Sequence, residues 1–236
     1  MRRETFAVSG PVRLDISLPA GEIEVDAAPT EEARVELKAL RGGESVVEEA
    51  RVELRGDELI VKVDQQHAEV RVRARVPEGS ALRAKTASGD LTARGRLGDT
   101  EVKSASGDVK LDSVGELDVK LASGDLKVKR MDGDAHIDSA SGDVDLGEAG
   151  SGVVMRTASG DQQVRSVAGG KVELSSASGD IRVGIKRGSR LWVDARSMSG
   201  DVSSELEVGD DAPGDDGPLV ELQVTAMSGD VRVVRA

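Results

Sequence analysis

The 236-residue chain has no cysteine and no tyrosine, and only one phenylalanine and one tryptophan. Without thiols there is no disulfide framework and no thiolate metal site, and the redox compartment stays open. With so few rings, any core must be built from Val, Leu, Ile and Ala, which suits a narrow coil. No apolar run approaches the roughly 18 residues of a membrane span. Met1-Arg2-Arg3-Glu4-Thr5-Phe6 opens on two arginines, but polar and charged residues follow at once where a signal peptide would turn apolar. The expectation is therefore a cytoplasmic protein without direct membrane insertion, or a surface one if exported by another route. Positive charge is also in deficit: 32 Lys and Arg stand against 44 Asp and Glu, a net charge of −12. That balance argues against nucleic acid or an anionic membrane as the main partner.

Glycine, by contrast, is plentiful and regularly placed. Ser-Gly-Asp occurs at Gly89-Asp90, Gly107-Asp108, Gly124-Asp125, Gly142-Asp143, Gly160-Asp161, Gly179-Asp180, Gly200-Asp201 and Gly229-Asp230. The steps are 18, 17, 18, 18, 19, 21 and 29 residues. A second glycine marks the middle of most steps, at Gly98, Gly115, Gly133, Gly152, Gly170 and Gly188. A near-fixed period of this size is the signature of a solenoid, in which each repeat packs on its neighbours. The expected fold is all-β: a single-stranded right-handed β-solenoid of about 18 residues per coil. Residues 81–236 form its regular part and residues 1–80 an irregular, β-rich N-terminal cap. Gly209 to Pro218 reads as an inserted acidic loop that lengthens the last step.

Within the cap, Val12, Leu14, Ile16 and Leu18 alternate with polar residues up to a turn at Pro19-Ala20-Gly21, after which Ile23 and Val25 resume. A strand is expected over 33–40. A short helix with Ser45 as its cap is expected near Val46-Val47-Glu48-Glu49. A tight hairpin at Arg55-Gly56-Asp57 leads into Leu59–Val63, and one more strand holds Val70, Val72, Ala74 and Val76.

Aligned on their glycines, the coils put like over like. The residue after each Ser-Gly-Asp should point inward: Leu91, Val109, Leu126, Val144, Gln162, Ile181, Val202 and Val231. So should Val102, Val119, Ile137, Met155, Leu174, Ala195 and Val224 on the half-repeat strand, while Ala87 and its equivalents fill the corner before the Ser. Thr86, Ser104, Leu121, Ser139, Thr157, Ser176 and Ser197 read as a broken outward ladder, and Trp192 as an outward ring near the last coils.

The Gly-Asp corner has three chemical readings. Calcium-binding β-rolls use Gly-Gly-x-Gly-x-Asp half-turns, but here alternate half-turns carry Glu116, Val153 or Lys171, and one carboxylate per coil does not make a six- to eight-oxygen cage. A carbohydrate-active β-helix would need carboxylates in different surroundings, whereas the Asp column repeats one environment. The reading adopted is structural: Gly takes φ > 0 at a corner while Ser and Asp bond nearby backbone. On it there are no catalytic, cofactor-binding or metal-binding residues, and His67 and His136 stand apart from other ligands. The outward rows, Glu101, Asp118, His136, Val154, Glu173, Asp194 and Gln223 beside Lys103, Lys120, Asp138, Arg156, Ser175, Arg196 and Thr225, read as a solvated, cross-paired sheet face.

The Ser-Gly-Asp-Val-x-Leu repeats, the opening Val12-Arg13-Leu14-Asp15-Ile16 and Ala20-Gly21-Glu22-Ile23-Glu24-Val25, and the closing Met227-Ser228-Gly229-Asp230-Val231-Arg232-Val233 resemble the bacterial "putative adhesin" family of β-strand-repeat domains of unknown function. The resemblance runs over essentially the whole chain. It implies a right-handed β-helix and brings no catalytic or ligand residues with it. The expected function is a non-enzymatic, adhesin-like scaffold or protein-binding surface without a cofactor. The alternatives are an exported surface adhesin, a calcium-binding β-roll and a carbohydrate-active β-helix. The expected partners are a protein and, weakly, a second copy meeting tail to tail through the strand from Val231 to Ala236.

Overall fold

The computed structural model describes residues 1–65, 67–205 and 217–236. Among them one five-residue helix accompanies twenty-one strands. The chain divides into two compact units, residues 1–115 with 120–124 and residues 116–119 with 125–236.

In the first unit, β1 (Arg2–Ala7), β2 (Arg13–Ala28) and β3 (Glu32–Arg41) precede helix α1 (Ser45–Glu49). Then come β4 (Arg51–Arg55), β5 (Glu58–Lys62), β6 (Glu69–Pro77), β7 (Ala81–Arg96), β8 (Thr100–Ser106) and β9 (Val109–Val114). Strict alternation buries Leu14, Ile16, Leu18, Ile23 and Val25, as a half-buried strand requires. The expected break at Pro19-Ala20-Gly21 is a corner inside one continuous strand, where Gly21 takes φ +128°. On one edge β2 is parallel to β5 (Leu14 beside Leu59) and then to β6 (Ile23 beside Val72). On its other edge it is parallel to β7, with Leu14 beside Leu82 and Ile23 beside Leu91. The coil written first in the sequence thus lies between two written later.

Antiparallel strands cover the outer side of that stack. β3 pairs with β6, β1 with β3, and β4 with β5 through the Gly56-Asp57 turn. Helix α1 buries Val46 and Val47, and its N-cap is Glu44, not Ser45, which is already helical. Arg2 closes the other end of the helix, its guanidinium donating to the Glu48 carbonyl at 3.2 Å and to those of Val47 and Ala50.

β10 (Leu117–Leu121) has residues in both units. The second unit continues with β11 (Leu126–Met131), β12 (Ala135–Ser141), β13 (Val144–Ala149), β14 (Val153–Ser159), β15 (Gln162–Val167), β16 (Gly170–Ser178) and β17 (Ile181–Ile185). From β11 to β15 each strand is parallel to the second one after it, in the expected register: Ile137 beside Met155 beside Leu174, and Leu126 beside Val144 beside Gln162. This is parallel β-structure wound around an axis, two strands to a coil.

The order then departs from the sequence. β18 (Arg190–Ser197) and β19 (Val202–Ser204) do not stack on β16 and β17. The final pair, β20 (Leu219–Ser228) and β21 (Val231–Arg235), does: β20 lies between β16 and β18, and β21 between β17 and β19. The strand from Val231 onward is therefore not an open end. Among the described residues the outermost coil of this unit is β18–β19.

That placement corrects two inward assignments. Val202 is exposed and Ala195 only half-buried, because among the described residues no layer covers their coil. Two further rows also differ from expectation. Thr86, Ser104, Leu121, Ser139, Thr157 and Ser176 are buried, and Ala87, Ala105, Ala122, Ala140, Ala158 and Ala177 are exposed. Most of the acidic loop expected at 209–218 lies outside the described residues, which take up again at Gly217.

Candidate functional site

The Ser-Gly-Asp corners form a ladder of one repeated hydrogen bond. Asp90 Oδ1 accepts the backbone N–H of Asp108 at 2.9 Å. Asp125 accepts that of Asp143, Asp143 that of Asp161, and Asp161 that of Asp180, at 2.8–2.9 Å. Asp180 then accepts the N–H of Asp230 at 2.8 Å, and Asp230 that of Asp201 at 3.0 Å, following the spatial order of the coils. Neighbouring carboxylates about 4.8 Å apart repel by roughly 1 kcal/mol in water. A charge-assisted bond to an amide offsets that, at about 1.5–3 kcal/mol.

Two constraints fix the glycine. Gly107, Gly124, Gly142, Gly160, Gly179, Gly200 and Gly229 have φ between +115° and +143°, which side chains disfavour. A Cβ on Gly107, Gly124, Gly160, Gly179 or Gly229 would also overlap the carbonyl oxygen of the glycine one coil below. Gly89 is the exception to the first constraint: it lies within unbroken β7 and stays out of the positive-φ region.

The hydroxyl row missed by the sequence reading supports these corners from inside. Ser104 donates to the Ser106 carbonyl at 3.0 Å, Ser139 to that of Ser141, and Ser197 to that of Gly229. Gln162, buried as expected, donates from Nε2 to Thr157 Oγ1 and to the Ser175 carbonyl, both at 2.8 Å. Its Oε1 has no partner among the described residues. The half-repeat corner uses the same device. Asp134 accepts the Gly152 N–H at 2.9 Å and the Ser151 hydroxyl, and these bonds, the hydroxyl first, hold its carboxyl below the usual range. Asp134 carries no Ser-Gly-Asp phrase, so the repeat did not point to it.

Outside the corners, the ion pairs lie on the outward strand faces. Arg71 grips Glu22 at 2.6 and 3.1 Å, Arg73 grips Glu24 at 3.1 and 3.3 Å, and Arg3 meets Glu36 at 2.9 Å. Glu101 is shared by Arg83 and Lys103, which hold its carboxyl down, Lys103 foremost. In the second unit Arg165 grips Asp145 at 2.8 and 2.6 Å. A shallow depression of about 260 Å³ opens over Val154, Arg156, Glu173, Ser175, Gln223 and Thr225. His136 pairs with Asp138 at 3.2 Å on the exposed face. Among the described residues no three His, Asp or Glu side chains gather closely enough to hold a metal ion, and no helix is long and apolar enough to cross a membrane.

The fold is shared with known proteins. A solved "putative adhesin" from Bacteroides fragilis covers 98% of this chain and 96% of its own at 14% identity, with a TM-score of 0.58. One from Parabacteroides distasonis matches at 12% identity over 98% and 96%, TM-score 0.56. Another protein of that species, described as a "putative lipid binding protein", matches at 11% identity over the same shares, TM-score 0.55. At these identities the likeness is one of fold. No curated protein matches the chain. The family model described as Toastrack DUF4097 matches residues 12–234, nearly the whole of the described coils and their antiparallel cover, and the chain belongs to that family.

Proposed function

We propose that the protein is a non-enzymatic scaffold in a bacterial cell whose outward strand faces bind a protein partner. The observation that carries this reading is the register-locked charge row Arg3–Glu36, Arg71–Glu22 and Arg73–Glu24. Held on paired strands about 4.8 Å apart, it is a rigid, sign-alternating surface, and such patterns select partners by electrostatic complementarity. The ladder carboxylates are already bonded to backbone amides, which makes them part of the corner, with the solvent-facing rows left for recognition.

The test compares capture of host proteins by wild type and by Arg73→Glu, with thermal melts to confirm equal folding. A saturable, salt-sensitive partner bound by wild type and lost with the variant is expected. Turnover of a glycan, or binding indifferent to the variant, would overturn the reading. An exported surface adhesin is the second reading, favoured by the fold shared with solved proteins of that description; the protein's location in its native host decides it.

A further inference from the structure

Coil β18–β19 is paired along one edge only among the described residues, to β20 and β21. Its inward row shows the consequence. Val193 lies beside Leu222 and Val202 beside Val231. The two partners are completely buried, yet Val193 is 45% and Val202 48% exposed. These are core positions with no layer above them among the described residues. On the outward face of the same strand Trp192 is 51% exposed. An open strand edge flanked by apolar side chains is a template for further pairing.

The geometry points to the same edge of a second copy as the occupant, joined about a two-fold axis that sets the two β18 strands antiparallel. The charges along the strand are what favour a copy of itself. With Trp192 opposite its own counterpart, Arg190 faces Asp194 of the second copy on both sides of the axis, and Leu191 faces Val193 within the core. Centring one residue later would set Arg190 against Arg196, and two residues later Asp194 against itself. Only the first of these three registers gives two opposite-charge pairs with no like-charge pair. Asp194 already holds Arg196 at 2.9 Å, so Arg190 of the second copy joins an ordered carboxylate. An isologous contact of this kind uses the edge in both copies and closes at two.

The chain's single tryptophan makes the contact directly observable. Sedimentation of wild type across the micromolar range should show a monomer–dimer equilibrium, with Trp192 emission shifting to the blue as the dimer forms. Arg190→Asp or Asp194→Arg alone should weaken the dimer by about tenfold, the effect of about 1.4 kcal/mol. The double variant Arg190→Asp/Asp194→Arg should restore it, and either single variant serves if the other fails to fold. A wild type that stays monomeric at high micromolar concentration would overturn the proposal. So would a dimer whose formation leaves Trp192 emission unchanged, or a double variant no tighter than the single ones.

Discussion

The backbone N–H of Asp230 donates to Asp180 Oδ1 at 2.8 Å across fifty residues of sequence, while Asp201, twenty-one residues from Asp180, is a layer further away and donates to Asp230. The last Ser-Gly-Asp coil is thus the floor on which the one before it rests. Deleting residues 219–236 should therefore release β18 and β19 along with the strands removed. Hydrogen exchange reads this directly. Amides from 190 to 204 should lose protection in the shortened chain, whereas retained protection would mean that β18 and β19 can settle on β16 and β17 instead.

The glycine of a corner should matter more than its aspartate. Gly124 has φ +116°, and a Cβ there would overlap the Gly107 carbonyl, so Gly124→Ala should cost about 2–3 kcal/mol. Asp125→Asn keeps an oxygen for the Asp143 N–H and should cost about 1 kcal/mol or less, the difference between a charged and a neutral acceptor. Thermal melts rank the two. If Asp125→Asn is the worse, or if calcium raises the melting temperature by several degrees, the corner is not held together by backbone bonds alone.

Gln162 sets gains against losses. Replacing it with Leu removes two bonds from Nε2, each worth about 1 kcal/mol net, and also an unpartnered buried oxygen that costs about 1–3 kcal/mol. Gln162→Leu should therefore change stability by no more than about 1 kcal/mol. Gln162→Ala, which leaves a cavity as well, should lose about 2–4 kcal/mol. Chemical denaturation of both variants separates the outcomes. A large loss with Leu would show that the bonds to Thr157 and Ser175 hold that coil closed.

Acid should erase the contribution of Arg165. Its paired bonds hold the Asp145 carboxyl below the usual carboxylate range, against the opposing effect of burial. A carboxyl depressed in the folded state stabilises above its unfolded value, roughly 3.9, and that stabilisation is lost as pH falls through the folded value. Arg165→Gln should thus melt below wild type at pH 7, by about 0.5–1 kcal/mol given a half-exposed arginine. The gap should close as the pH falls below 4. A gap that persists in acid would assign the loss to packing of the arginine stem.

The period, the register and the inward rows up to β17 were legible, because period-two alternation and a glycine that tolerates no Cβ leave little freedom. Ile137, Met155 and Leu174 stand over one another as the spacing requires. The hydroxyl row was misread because polarity and phase disagreed there. Ser104 sits two residues from Val102 and so shares its face, and phase won because a serine short enough to bond the Ser106 carbonyl is satisfied inside. The order of the last coils was not legible for a more general reason. Val202 and Val231 occupy equivalent positions in equivalent phrases, and a ladder of identical bonds is equally satisfied in either order. Asp134 went unseen because a half-turn with only a glycine in common offers no repeated phrase to align.

The sandwiching of β2 between strands made later has a consequence for synthesis. Among these coils, the one made earliest cannot be a foundation on which later ones accumulate in turn. Its two edges wait for segments that begin 30 and 53 residues after it ends. Until both arrive, Leu14, Ile16, Ile23 and Val25 lack a layer on at least one side. Long-range pairing of this kind is slow to form and open to mispairing. The nascent segment before Pro77 is thus the stretch for which a holding chaperone would matter most, and the Glu22 and Glu24 side chains on its outward face supply the charge that keeps an unfinished edge soluble.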